Sequence, residues 1–87
     1  MAKMIQLKVA TAERLLVNSE VTAAECPCST GYIGILPGHA PFVGVLGTGA
    51  LTYTPPTGTG KSIKLSGGFI QIADNCVRVL ADSAENS

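Results

Sequence analysis

Tryptophan is absent from the 87 residues, and only two Phe and two Tyr supply aromatic bulk. The apolar share is nevertheless 46%, so a core must come from Val, Ile, Leu and Ala. That composition suits thin sheet layers better than a large, aromatic-lined ligand cavity. Charge of either sign is scarce too: six Lys and Arg balance six Asp and Glu, for a formal net charge of zero. The basic residues Lys3, Lys8, Arg14, Lys61, Lys64 and Arg78 are scattered. No run of them can follow a phosphate backbone and release its counterions, which argues against nucleic-acid binding. Zero net charge also gives little colloidal repulsion, a tolerable state for a permanent member of an assembly.

Long hydrophobic runs are missing. No stretch approaches the roughly 20 apolar residues that span a bilayer. The opening Met1-Ala2-Lys3-Met4-Ile5-Gln6 contains no hydrophobic region of signal-peptide length. The expected compartment is the cytoplasm or its equivalent. A chain of this length forms one domain, burying about 60% of the surface that its unfolded form exposes.

Cysteine occurs three times, as Cys26, Cys28 and Cys76. That is too few, and wrongly spaced, for a disulfide framework or a four-ligand zinc site. Cys26-Pro27-Cys28 could be a metal or redox pair, but small buried side chains on a strand account for it with fewer demands. His39 is the single histidine. General-base or triad chemistry would need a nucleophile and an orienting carboxylate beside it. Nothing flanking Ser29, Ser66 or Cys76 resembles a nucleophile elbow, so a surface or interface histidine is the better reading.

What the chain does have is strand patterning cut by turns. Ile5, Leu7 and Val9 alternate with Gln6 and Lys8, the period of a half-buried strand. Residues 10–25 contain no Gly or Pro, and patterning alone leaves helix and strand both open there. Beyond Cys26, Gly and Pro recur every few residues and exclude a helix of ordinary length. Short apolar runs survive at residues 32–36, 42–46, 51–54 and 63–65, the spacing of a sandwich or barrel. Asp74-Asn75 suits a two-residue hairpin turn with positive φ. That turn sets Ile72 opposite Val77 and Ile70 opposite Val79 on one face, with Gln71 and Arg78 paired on the other. Asp82 followed by Glu85 has the form of a helix start, with almost no chain after it.

Gly58-Thr59-Gly60-Lys61-Ser62 imitates the end of a phosphate-binding loop. The motif needs a Gly where this chain has Pro55, which has no N–H to donate and a fixed φ. Ser62-Ile63-Lys64-Leu65 then alternates as a strand where a helix is required. Residues 55–60 are better read as a hairpin tip. Around His39, Pro37-Gly38 suits the central positions of a type II turn, and Pro41 keeps Ala40 extended. A stiff corner with one polar group between apolar strands suits a protein contact.

Gly34-Ile35-Leu36-Pro37-Gly38-His39-Ala40-Pro41 resembles the hallmark of the epsilon subunit family of bacterial and chloroplast ATP synthases, called delta in mitochondria. Ser66-Gly67-Gly68-Phe69, Val79-Leu80-Ala81-Asp82 and the opening Leu7-Lys8-Val9-Ala10-Thr11-Ala12-Glu13 extend the resemblance in order over nearly the whole chain. It implies an all-β fold, a flattened antiparallel β-sandwich of about ten short strands over residues 1–82, with a short tail at 83–87. It thereby implies strands within residues 10–25.

The implied role is non-catalytic: a rotor subunit in the central stalk of a proton-translocating ATP synthase, binding the gamma subunit and the ring of c subunits. The chemistry and its cofactors would belong to other subunits, and contact with the cytoplasmic face of the bacterial inner membrane would come only through the complex. Carried over by position, Thr11, His39 and Gly44 fall at gamma contacts and Tyr32 at a c-ring contact. Relatives often carry an acidic residue at that last position. Typical relatives continue into an inhibitory helical hairpin, so this stretch is expected to assemble and couple without that hairpin's inhibition or ATP binding. The residues taken alone also admit a nucleotide-binding domain using Lys61 or a stand-alone sandwich adaptor.

Overall fold

The computed structural model describes residues 4–86. Residues 1–3, read above for a leader, and residue 87 of the expected tail lie outside them. Eight strands follow in order: β1 (Ile5–Ala10), β2 (Leu15–Val21), β3 (Ala23–Cys28), β4 (Gly31–Ile35), β5 (Phe42–Val45), β6 (Thr48–Thr54), β7 (Lys61–Ala73) and β8 (Cys76–Asn86). The open segment over residues 10–25 thus resolves into the end of β1, a turn, β2 and most of β3. Its strand character comes from pairing with β1 and β6, partners distant enough that local propensity could not reveal them.

One hydrogen-bonded path, β2-β1-β8-β7-β6-β3-β4, runs through the molecule, and β5 pairs separately with β7. The path folds into two layers because β7 and β8 bend together. Residues 61–66 of β7 pair with β6, whereas residues 69–72 pair with β5. Counting β7 and β8 once in each layer gives β2-β1-β8-β7-β5 over β8-β7-β6-β3-β4, which is ten segments from eight strands. All pairings are antiparallel except β1 with β8, which run parallel and join the first strand to the last.

The bend falls at Gly67-Gly68, where φ is 69° and 114°. A side chain at Gly68 would collide with the Leu80 carbonyl oxygen and come within 2.8 Å of Ala81 Cα. Only glycine satisfies both the dihedral and the space. At the far end of the hairpin, Asp74 and Asn75 take φ of 51° and 58°, the turn that the sequence pattern specifies. Ile72 meets Val77, Ile70 meets Val79, and Gln71 meets Arg78. Past Asp82, β8 runs on through Asn86 in place of the short tail expected from Ser83. Ser83 pairs with Ser66 and Ala84 with Leu65. A helix-start pattern is a local preference, and here a ready partner strand outweighs it.

The layers enclose Ile5, Leu7, Val9, Ile70, Ile72, Val77 and Val79 on one side and Leu51, Ile63, Leu65, Cys26 and Ile35 on the other. No polar or charged residue among those described is buried. Cys26 and Cys28 lie in this core with Pro27 between them. Burial pushes the Cys26 thiol up from 9.0 to about 12, with the neighbouring Cys28 adding to the shift. Burial likewise raises Cys28. Held protonated, these thiols act as small apolar side chains.

Two measurements check this core. Ile72→Ala, at a position only 2% exposed, is expected to cost about 2–5 kcal/mol in urea unfolding; a loss under about 0.5 kcal/mol would mean the buried face is misassigned. In the second, the folded Cys26 thiol keeps its proton above the pH at which the unfolded one loses it. Its contribution is therefore complete below pH 9 and declines as pH climbs toward 12. Stability curves of wild type and Cys26→Ala should converge over that window.

A candidate protein-contact face

In the layer β2-β1-β8-β7-β5 the core residues alternate with an outer set. Register lines that outer set into a row across five strands: Leu15 opposite Ala10, Ala10 opposite Leu80, Leu80 opposite Phe69, and Phe69 opposite Val45. Every large member is exposed, from 53% for Leu80 and Val45 to 60% for Phe69. Val43 lies further along the same face and is exposed as well. Isolated exposed apolar side chains are ordinary, but a contiguous row of them across a sheet marks a contact surface. The sequence assigned none of these residues to a contact. Their signal was in the hairpin register, which placed Phe69 and Leu80 on the face opposite the core.

Thr11 and Gly44 lie at opposite ends of this row. Thr11 follows Ala10 in the turn between β1 and β2. There its N–H donates to the Arg14 carbonyl at 2.9 Å, and its hydroxyl accepts from the Glu13 N–H at 3.3 Å. Gly44 sits between Val43 and Val45 but faces inward, paired with Ile70. A Cβ there would lie 2.6 Å from the Phe42 ring, so the glycine makes room for an aromatic that packs against the core.

His39 stands apart from the row, at the hairpin-turn end of β5. The type II turn forms as the sequence suggests: the His39 N–H donates to the Leu36 carbonyl at 3.1 Å, and Gly38 takes φ of 87°. Asn75 ties this corner to the β7–β8 turn. Its side-chain oxygen accepts from the Gly38 N–H at 2.7 Å, while its own carbonyl accepts from the Gln6 N–H at 2.9 Å. His39 Nδ1 is 2.7 Å from the Ala40 carbonyl oxygen. A carbonyl can only accept, so Nδ1 carries the hydrogen and Nε2 of the neutral ring is left as an acceptor. The ring meets Phe42 edge-on, with centroids 6.4 Å apart.

Tyr32 is on the other layer's edge strand, away from these three. Its partner across β4–β3 is Pro27, and the β3–β6 ladder ends before that proline, at Glu25–Thr52. Pro has no N–H for a ladder. The Tyr32 hydroxyl spans the gap and accepts from the Ala50 N–H at 3.2 Å. Gly49 must lack a side chain for this, because a Cβ there would meet that hydroxyl.

The phosphate-loop imitation resolves as a hairpin tip: residues 55–60 join β6 to β7, and Tyr53 pairs with Lys61 at its base. Lys61 opens a strand, and no helix N-terminus lies there to hold an anion. Among the described residues no group of three or more His, Cys, Asp or Glu converges as a metal site. Nor is any helix among them long and apolar enough to cross a membrane.

Two layers sharing a bent hairpin, with an apolar row on one outer face and a braced histidine corner apart from it, define a small β-sandwich domain. The family model described as "ATP synthase, Delta/Epsilon chain, beta-sandwich domain" matches residues 4–87, and the chain belongs to that family. It is 48% identical to the ATP synthase epsilon chain of Solibacter usitatus over 95% of this chain and 61% of that protein. To the Carboxydothermus hydrogenoformans epsilon chain it is 47% identical, over 98% of this chain and 63% of the relative. It therefore spans about three-fifths of these relatives' length. In a cryo-EM structure of the Euglena gracilis mitochondrial ATP synthase, OSCP, F1 and c-ring, one chain superposes with a TM-score of 0.87 at 26% identity. That match covers 95% of this chain and 53% of the other. A chain of the Tetrahymena thermophila central stalk and c-ring has a TM-score of 0.78 at 13% identity and shares the fold.

The corner supplies its own check. Asn75→Gly preserves the positive φ and removes only the acceptor for Gly38. The Gly38 amide should then exchange with solvent roughly tenfold faster, with about 1 kcal/mol lost in unfolding. Unchanged exchange would show that Asn75 does not brace the corner.

Proposed function

We propose that this chain is a non-catalytic subunit of the central stalk of a proton-translocating rotary ATP synthase. It binds gamma on one side and the c-subunit ring on another, and so couples ion flow to ATP synthesis carried out elsewhere in the complex. Family membership supports the reading, and the single structural observation that carries it is the exposed apolar row from Leu15 to Val45. An interface core of this kind is depleted of charge and rich in apolar contact.

Gamma is assigned to that row. Thr11 and Gly44 flank it, and His39 offers Nε2 to a donor from the corner. Tyr32 belongs to the c-ring side, where its ring and the hydrogen of its hydroxyl are left for contact. An acidic residue there would reach a ring loop through charge; the aromatic meets the ring by packing and can donate its O–H, its oxygen accepting from Ala50. The chain carries no cofactor in this role. It reaches the cytoplasmic face of the bacterial inner membrane only through its partners.

Association with purified gamma at micromolar concentration tests the reading. Leu80→Ala and Phe69→Ala each remove apolar contact from the middle of the row without adding a charge, and each is expected to weaken binding about 10- to 100-fold, since truncating a central apolar side chain is costly at an interface. Both positions are solvent-exposed in the free chain, so melting temperature should hardly move. Wild-type chain that fails to bind gamma, or variants that bind it normally, would defeat the assignment.

A further inference from the structure

Beside the apolar row lies a groove with an unbalanced charge. Lys8 on β1 and Arg78 on β8 are direct cross-strand partners, and both line the groove with Leu15, Phe69 and Leu80. No carboxylate is among the residues that line it. Across the chain the charges cancel, six against six, yet this groove holds two cations and no acid. Like charges placed directly opposite one another destabilise a sheet pair. The chain could have separated them, because its remaining Lys and Arg are scattered. Gln71, opposite Arg78 on the other side, adds a side-chain amide to the same floor.

We propose that this groove is a carboxylate-binding site within the partner contact: the stalk partner presents an Asp or Glu from an apolar segment, which lands between Lys8 and Arg78 while its apolar neighbours cover Phe69 and Leu80. The proposal rests on the partner reading above and names the chemistry of the surface that binds there. A guanidinium and an ammonium closing on one carboxylate form charge-assisted hydrogen bonds. The repulsion between them, unfavourable in the free chain, is relieved when the acid arrives. Closure of the apolar row over the site excludes water and strengthens those bonds. The doublet would therefore select among apolar surfaces, admitting one that carries an acid and disfavouring one that carries a base.

Binding of the full chain to gamma, measured by titration calorimetry at several salt concentrations, tests this. Lys8→Gln with Arg78→Gln should weaken binding about 10- to 100-fold and flatten its dependence on salt, while melting temperature holds or rises as the repulsion disappears. Lys8→Arg should retain affinity within about threefold. If wild type binds gamma and the double Gln variant binds equally well with the same salt dependence, the carboxylate site is overturned and the partner reading stands. If wild type does not bind gamma at all, both fall together.

Discussion

The β7–β8 hairpin is the constraint on which the molecule turns. Ten register pairs hold it from Ala73–Cys76 at the turn to Ile63–Asn86 at the open end. Every other strand attaches to it directly or through one neighbour, except β4, which reaches it through β3 and β6. Because β7 crosses from one layer to the other at Gly67-Gly68 and β8 crosses opposite it beside Ala81, the layers are not independent sheets pressed together by apolar contact alone. They are one ladder folded over its own core. The facing of each outer residue follows from that ladder: once Ile70 and Val79 point inward, Phe69 and Leu80 must point out.

The parts of this arrangement that depend on adjacent residues were legible in the sequence. Asp74-Asn75 specified its turn, Pro37-Gly38 specified the corner, and Pro55 ruled out a phosphate loop at Gly60-Lys61. Distant pairings were the parts that were not. Nothing within residues 10–25 records that β1 and β6 will take them as strands. Asp82 and Glu85 carry a local helix-start pattern that the open edge of β7 overrides. The apolar row depends on the parallel pairing of β1 with β8, which joins opposite ends of the chain. Of the residues carried over by resemblance, the structure puts Thr11 in the turn after β1 and Gly44 within β5 of the same layer but turned inward, sets His39 at a neighbouring corner and puts Tyr32 on another strand edge. Resemblance named positions; only the register shows which share a surface.

Tyr32 and Asn75 illustrate a shared device. Each is a polar residue at the margin of the sheet that accepts a backbone N–H which the ladder leaves over: Ala50 beyond the proline gap, Gly38 in the turn. No polar or charged residue among those described is buried, so these edge bonds carry specific geometry that the apolar core cannot supply. Conserving core volume while altering either residue would keep the fold and loosen the surface.

The shared bend also has a mechanical meaning. A sandwich of two separate sheets resists sideways load only through side chains that can slide past one another. Here a tangential force on the outer face of one layer passes along continuous polypeptide through Gly68 into the other. It loads the hairpin in shear, with its inter-strand hydrogen bonds sharing the strain side by side rather than parting one at a time. Under such a load the molecule would yield last at that hairpin. Its first slippage would come at β2 and β4, the strands that end the hydrogen-bonded path.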